Sequence, residues 1–146
     1  MKKLLFLLLV LAGCTTTGPD TDFLKKELLK TDQDFSQMSM DKGMGHAFLF
    51  YAAEDVIEIR EGKIPLFGIK EMKEDFRNLP ESRIHLSWIP VKADVDGKLG
   101  YTFGKWQMHL DLPDTTLYGV YVTIWRKQDN GTWKYVLDGG NSTPKQ

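Results

Sequence analysis

The sequence predicts an α+β fold, a cone of three N-terminal helices packed on a strongly bent antiparallel sheet. Three observations predict it. Between Thr21 and Pro80, apolar residues recur at helical spacing in three separate runs. After Pro80, alternation of apolar and polar residues takes over and holds almost to the end of the chain. The alternation slips phase beside Pro90 and meets a mid-strand glycine at Gly104, the marks of bulged or bent strands.

The first helix is expected over residues 21–40. Leu24, Leu28, Phe35 and Met38 share one face with Leu29 at its edge, and Asp20 or Thr21 caps the start. The "DKG" at 41–43 breaks it. Met44, Ala47, Phe48 and Tyr51 then stand at i, i+3, i+4, i+7 of a second helix. "VIEIREGKIPLFG", 56–68, reads as two short strands around a turn. Ile69, Met72, Phe76 and Leu79 form the stripe of a third helix that ends at Pro80.

In the strand region, "RIHLSWIPVKADV" alternates through Ile84, Leu86 and Trp88 and shifts at Ile89. "DGK" at 96–98 turns the chain, "LGYTFGKWQMHL" returns, and "DLPDT" is a loop. The stretch "IWRKQDNGTWKYVLDGGN" is a hairpin with a three-residue loop and Gly131 left-handed. This register sets Trp125 opposite Tyr135 and Ile124 opposite Val136. It puts Val122, Ile124, Val136 and Asp138 on one face, the concave one. Tyr121, Thr123, Trp125, Tyr135 and Leu137 fall on the other. Both faces are apolar, so one is expected to cover helices and the other to meet a second copy of the chain, a homodimer through the sheet.

The N-terminus gives an address. Lys2 and Lys3 precede an unbroken apolar run from Leu4 to Leu11, too short to span a bilayer, which needs ~20 residues. "LAGC" resembles the bacterial lipoprotein box. That resemblance implies a signal peptide at 1–13, lipid on Cys14, a tether at 14–20 and a folded domain at 21–146. The address is then the bacterial cell envelope, extracytoplasmic and anchored to a membrane through Cys14. An ordinary secretory peptide with an incidental Cys14 is the alternative. Cys14 is the only cysteine, which excludes an internal disulfide and any multi-cysteine metal site.

The 19 basic and 20 acidic residues give a formal net charge of -1 without a basic cluster, which argues against nucleic acid as a partner. His46, His85 and His109 form no spaced metal motif, and no phosphate loop or nucleotide fingerprint appears. No metal and no cofactor are expected.

"LLKTDQDFSQMSMDKGMGHAFLFYAAED", "LGYTFGKW" and "YVTIWRKQDNGTWKYVLDGGNSTP" resemble the nuclear transport factor 2-like superfamily. They are most similar to its SnoaL-like branch, the domain of unknown function 4440 type. The resemblance spans nearly all of residues 21–144. It implies the fold shared with ketosteroid isomerase and polyketide cyclases, a dimer through the sheet, and a pocket at the mouth of the cone. It does not transfer an activity.

The candidate site follows from the residues. Asp138, on the concave face, is either a partly desolvated acid usable as general base or ligand acceptor, or an acid that only holds the Gly139–Asn141 turn. Asp32 on the first helix points at the sheet, either toward Asp138 as a carboxylate pair or into a structural contact with a Trp or Tyr. His85 is a weaker catalytic candidate, as a dyad with either acid. The expected ligand pocket is Asp138, Asp32, Trp88, Tyr101, Tyr118 and Asn141. The expected function is binding of a small, mostly apolar molecule in the cone without catalysis. The alternatives are a ketosteroid-isomerase or polyketide-cyclase-like acid–base enzyme using Asp138, and a dimeric assembly module whose cone is filled by side chains.

Overall fold

A computed structural model describes residues 20–77 and 79–145. The expected signal peptide, Cys14 and the expected tether up to residue 19 lie outside the described residues. Helices α1 (Thr21–Lys42), α2 (Met44–Tyr51) and α3 (Gly68–Phe76) accompany strands β1 (Ala52–Ile59), β2 (Leu66–Phe67), β3 (Ile84–Asp96), β4 (Leu99–Asp111), β5 (Asp114–Lys127) and β6 (Trp133–Thr143). They form one six-stranded sheet in the order β2-β1-β6-β5-β4-β3. The α+β fold predicted from the sequence is the fold observed. The sheet is not wholly antiparallel, however. β1 and β6 run parallel, with Glu58 level with Asp138, because the chain leaves β1 and returns only after α3 and three further strands.

α1 begins at Asp20, whose carboxylate accepts from Asp22 N at 3.0 Å, and ends at Gly43, left-handed at φ 90. Its buried face is Leu24, Leu28, Asp32, Phe35, Ser36 and Ser39. Met38, expected in the core, is only half-buried, and Ser36 and Ser39 are buried instead. They are turned to β3, the edge of the sheet. Ser39 Oγ donates to Leu86 O, and Trp88 N donates to Ser36 Oγ, both at 2.8 Å. Two strand groups with no neighbouring strand are thereby satisfied by a helix.

Phe35 sits at the hub of the core. Its ring lies 4.5 Å from Trp88, 4.9 Å from Phe48 and 5.6 Å from Tyr135, centroid to centroid. These are edge-on and stacked spacings that favour aromatic pairs.

The bulge expected near Pro90 falls between Pro90 and Lys92. Gly131 is left-handed at φ 85, and its N donates to Gln128 O at 2.9 Å, the three-residue loop expected. "DLPDT" is tighter than a loop, since Asp111 pairs with Asp114 across a turn at Leu112–Pro113.

Two corrections concern β6. The hairpin register holds at Trp125–Tyr135 but shifts by one residue, so that Ile124 pairs with Leu137 and Thr123 with Asp138. Val136 is the extra residue of a β-bulge, and beyond it every side chain changes face. The strand also runs on past Asp138 to Thr143, so Gly139–Asn141 is ladder and not a turn for an acid to hold. The two faces are likewise reversed from expectation. Tyr121, Thr123, Trp125 and Tyr135 are buried under the helices, while Val122 is 40% exposed on the convex side.

Candidate functional site

Between the helices and the concave face lies a cavity of about 500 Å³. Phe35, Met44 and Phe48 line it from the helices, with Phe76 and Leu79. Ile84, Leu86, Trp88, Trp106, Met108, Leu117 and Tyr121 line it from the sheet. Tyr121 fits because residue 104 across the ladder is glycine. A Cβ there would stand 2.5 Å from Tyr121 Cε1 and 2.3 Å from Ile89 O. The polar floor comes from three neighbouring strands, Glu58 of β1, Asp138 of β6 and Thr123 of β5. Arg60, Glu61, Lys63 and the Gly139–Ser142 stretch complete the lining.

Asp138 reaches the concave face because of the bulge at Val136, not because of simple alternation with Ile124. Thr123 Oγ1 donates to its Oδ1. Burial raises its carboxyl to about 7, the Thr123 hydrogen bond opposes the shift, and the negative charge of Asp32 adds to it. Glu58 is level with it on the adjacent strand. Glu58 is 4% exposed, and its Oε2 is buried without a hydrogen-bond partner. Burial first, then the charge of Asp138, push its carboxyl well above the usual range. Arg60 and the Tyr135 hydroxyl pull the other way. The cavity thus holds a pair of carboxyls whose proton affinities are both displaced upward, Asp138 to about 7.

This pair replaces the one expected between Asp32 and Asp138. Asp32 does not line the cavity. It is fully buried behind two of the cavity's walls, accepting from Trp88 Nε1 and from Tyr121 OH, each at 2.7 Å. Of its two readings, the structural contact to a Trp and a Tyr is the one observed, although its charge acts on Asp138.

Trp88 lines the cavity as expected, and Asn141 contributes to its exposed end. Tyr101 and Tyr118 do not line it. They pair with Ile124 and Gln107, one residue out of step with Thr102, Trp106 and Tyr121, and so belong to the convex face. His85 is on that face too. Its Nε2 lies 3.2 Å from Asp111 Oδ1 and its ring stacks on His109 at 6.0 Å, so no dyad with Asp138 or Asp32 forms. Glu58 is the residue that sequence reasoning missed. The signal was present in "VIEI", where alternation puts Glu58 on the same side as Val56, which is fully buried.

Among the described residues, no group of three His, Cys, Asp or Glu is arranged to hold a metal ion, and no helix is long and apolar enough to cross a membrane.

No protein-family model matches the sequence, and no curated protein does. Solved structures do match the fold. A ketosteroid isomerase-like protein from Erwinia carotovora atroseptica superposes with a TM-score of 0.67 at 9% identity, over 82% of this chain and 96% of that one. A nuclear transport factor 2-like superfamily protein from Salmonella enterica serovar Typhimurium does so at 0.65 and 17%, over 85% and 94%. An LEH-like epoxide hydrolase from M. tuberculosis gives 0.59 and 10%, over 82% and 85%. The chain therefore has the nuclear transport factor 2-like fold, shared with ketosteroid isomerase-like proteins.

Proposed function

We propose that this chain binds a small, mostly apolar molecule in the cone, with one polar group of that molecule held between Glu58 and Asp138. The observation that carries the reading is the cavity itself. Its volume is within the usual range for small-molecule sites, roughly 300–1,000 Å³. Its walls are aromatic and aliphatic, and Glu58, Thr123 and Asp138 gather on its floor. A filled cone, which a pure assembly module requires, does not fit this geometry.

The acid–base alternative is favoured by a specific observation, the pairing of an acid raised to about 7 with a buried neighbouring carboxyl whose proton affinity is also raised. Asp138 would accept a proton from the bound molecule. Glu58 would donate a hydrogen bond to the oxygen on which charge develops. An LEH-like epoxide hydrolase and a ketosteroid isomerase-like protein share the fold, which supports such chemistry as a use of it.

The core lies within residues 20–145, so a form lacking residues 1–18 is suited to the test. Native mass spectrometry of that form is expected to find an added small mass that is lost in Asp138→Asn. A bare protein under every condition, with the variant equally bare, contradicts the binding reading.

Two further parts of the reading concern the chain's surroundings. Assignment to the SnoaL-like branch and attachment to a bacterial membrane by lipid on Cys14 rest on the sequence motifs. Homodimerisation would use the convex face, where Tyr101, Phe103 and Ile124 are only half-buried and Val122 is exposed. Placing a like charge at the centre of such a contact disfavours it. Val122→Lys is therefore expected to give a monomer in sedimentation equilibrium where the unaltered protein is a dimer. A monomer in both cases rules the dimer out.

A further inference from the structure

Arg60 lies just past the end of β1, two residues after Glu58, which sets it within roughly 7 Å of that acid along the chain. It lines the cavity, and its Nε is buried with no hydrogen-bond partner. Asp75 Oδ2 takes its Nη1 at 2.6 Å, which holds the guanidinium in place from the α3 side. Lys63 lines the same end. The acids nearby are already engaged. Glu61 Oε2 accepts from Ser142 N at 2.9 Å and from Ser142 Oγ at 2.7 Å, and burial together with the charge of Asp138 favours the uncharged form of Glu58. A buried guanidinium N–H without an acceptor is a costly group to leave unpaired. Its natural complement is a ligand oxygen carrying negative charge.

We propose that the cavity selects an anionic amphiphile, with a carboxylate or comparable anion on Arg60 and Lys63 at one end. The apolar body lies against Trp88, Trp106 and Phe48, and a second oxygen function, roughly 7 Å along, reaches Asp138 and Glu58. This rests on the reading of the cavity as a ligand pocket and adds the ligand's charge class to it. The acid pair alone selects against anions; Arg60 reverses that choice at the other end of the same cavity.

The test compares decanoate with decan-1-ol, titrated at pH 8 into the form lacking residues 1–18 and followed by tryptophan fluorescence, since Trp88 and Trp106 line the cavity. Decanoate is expected to bind at least about tenfold tighter than decan-1-ol, the usual scale for one charge-assisted hydrogen bond. Arg60→Gln brings the ratio close to one, with the near-ultraviolet circular dichroism unchanged. Asp75→Asn raises the ratio, because the carboxylate that competes for Arg60 is gone. Decan-1-ol binding as tightly as decanoate, or a ratio that survives Arg60→Gln, overturns the anion assignment and leaves the pocket standing. Failure of both probes overturns the anion assignment and counts against the pocket as well.

Discussion

Asp138→Asn is expected to make the ligand-free protein more stable at pH 8 and no more stable at pH 4. In the unfolded chain an aspartate titrates near 3.9; in the fold Asp138 is raised to about 7. Between those values the folded protein holds a proton that the unfolded chain has released. Its stability therefore falls as pH rises through that window and levels off above it. Asparagine keeps an oxygen for the Thr123 hydroxyl and has no charge to desolvate. A shift of this size has an upper limit of about 4 kcal/mol. Asp138 is open to the cavity, so solvent screening reduces the expected gain to roughly 1–3 kcal/mol. Urea denaturation at the two pH values measures it. Glu58→Gln is expected to act in the same direction. The two together will be less than additive, because the charge of Asp138 contributes to the shift of Glu58. An Asp138→Asn protein weakened equally at both pH values would mean that the acid is a structural acceptor.

Asp32→Ala is expected to have the opposite and larger effect on stability, a loss of roughly 3–5 kcal/mol. The carboxylate accepts from Trp88 Nε1 and Tyr121 OH at 2.7 Å each, with no exposure to solvent. Alanine strands both donors, each costing about 1–3 kcal/mol when buried and unpaired, and leaves a small void beside Phe35. Asp32→Asn retains the volume and one acceptor, so it is expected to cost far less. A loss under about 1 kcal/mol for Asp32→Ala would show that Trp88 and Tyr121 find other partners. The consequence reaches the cavity, because both rings are its walls. Their positions depend on an acid that does not itself line the cavity.

How much of this was legible before the structure depends on the range of the determining contacts. The α1 cap at Asp20, the bulge beside Pro90 and the left-handed Gly131 are set by neighbours in the chain, and local chemistry revealed them. Asp138 was singled out correctly and assigned to the wrong face-mates. A single extra residue at Val136 inverts a period-two pattern, and nothing in "TWKYVLDGGN" marks where it is inserted. Tyr101 and Tyr118 were misplaced for a related reason. Both faces of β4 and β5 carry aromatic and branched residues, so alternation fixes which residues go together and not which set faces in. Glu58 meets Asp138 through a parallel pairing of strands that lie some eighty residues apart in the chain. No local signal reports such a contact.

The two serines of α1 have a bearing on how copies of this domain can meet. A sheet normally offers its outermost strands as templates on which another chain can lengthen the ladder. Here the middle of β3 is already occupied from the side by Ser36 and Ser39, and the opposite border, β2, is only two residues long. Growth by strand addition has little to start from at either border. Association of this domain is thereby steered away from open-ended fibres and toward closed contacts between broad surfaces.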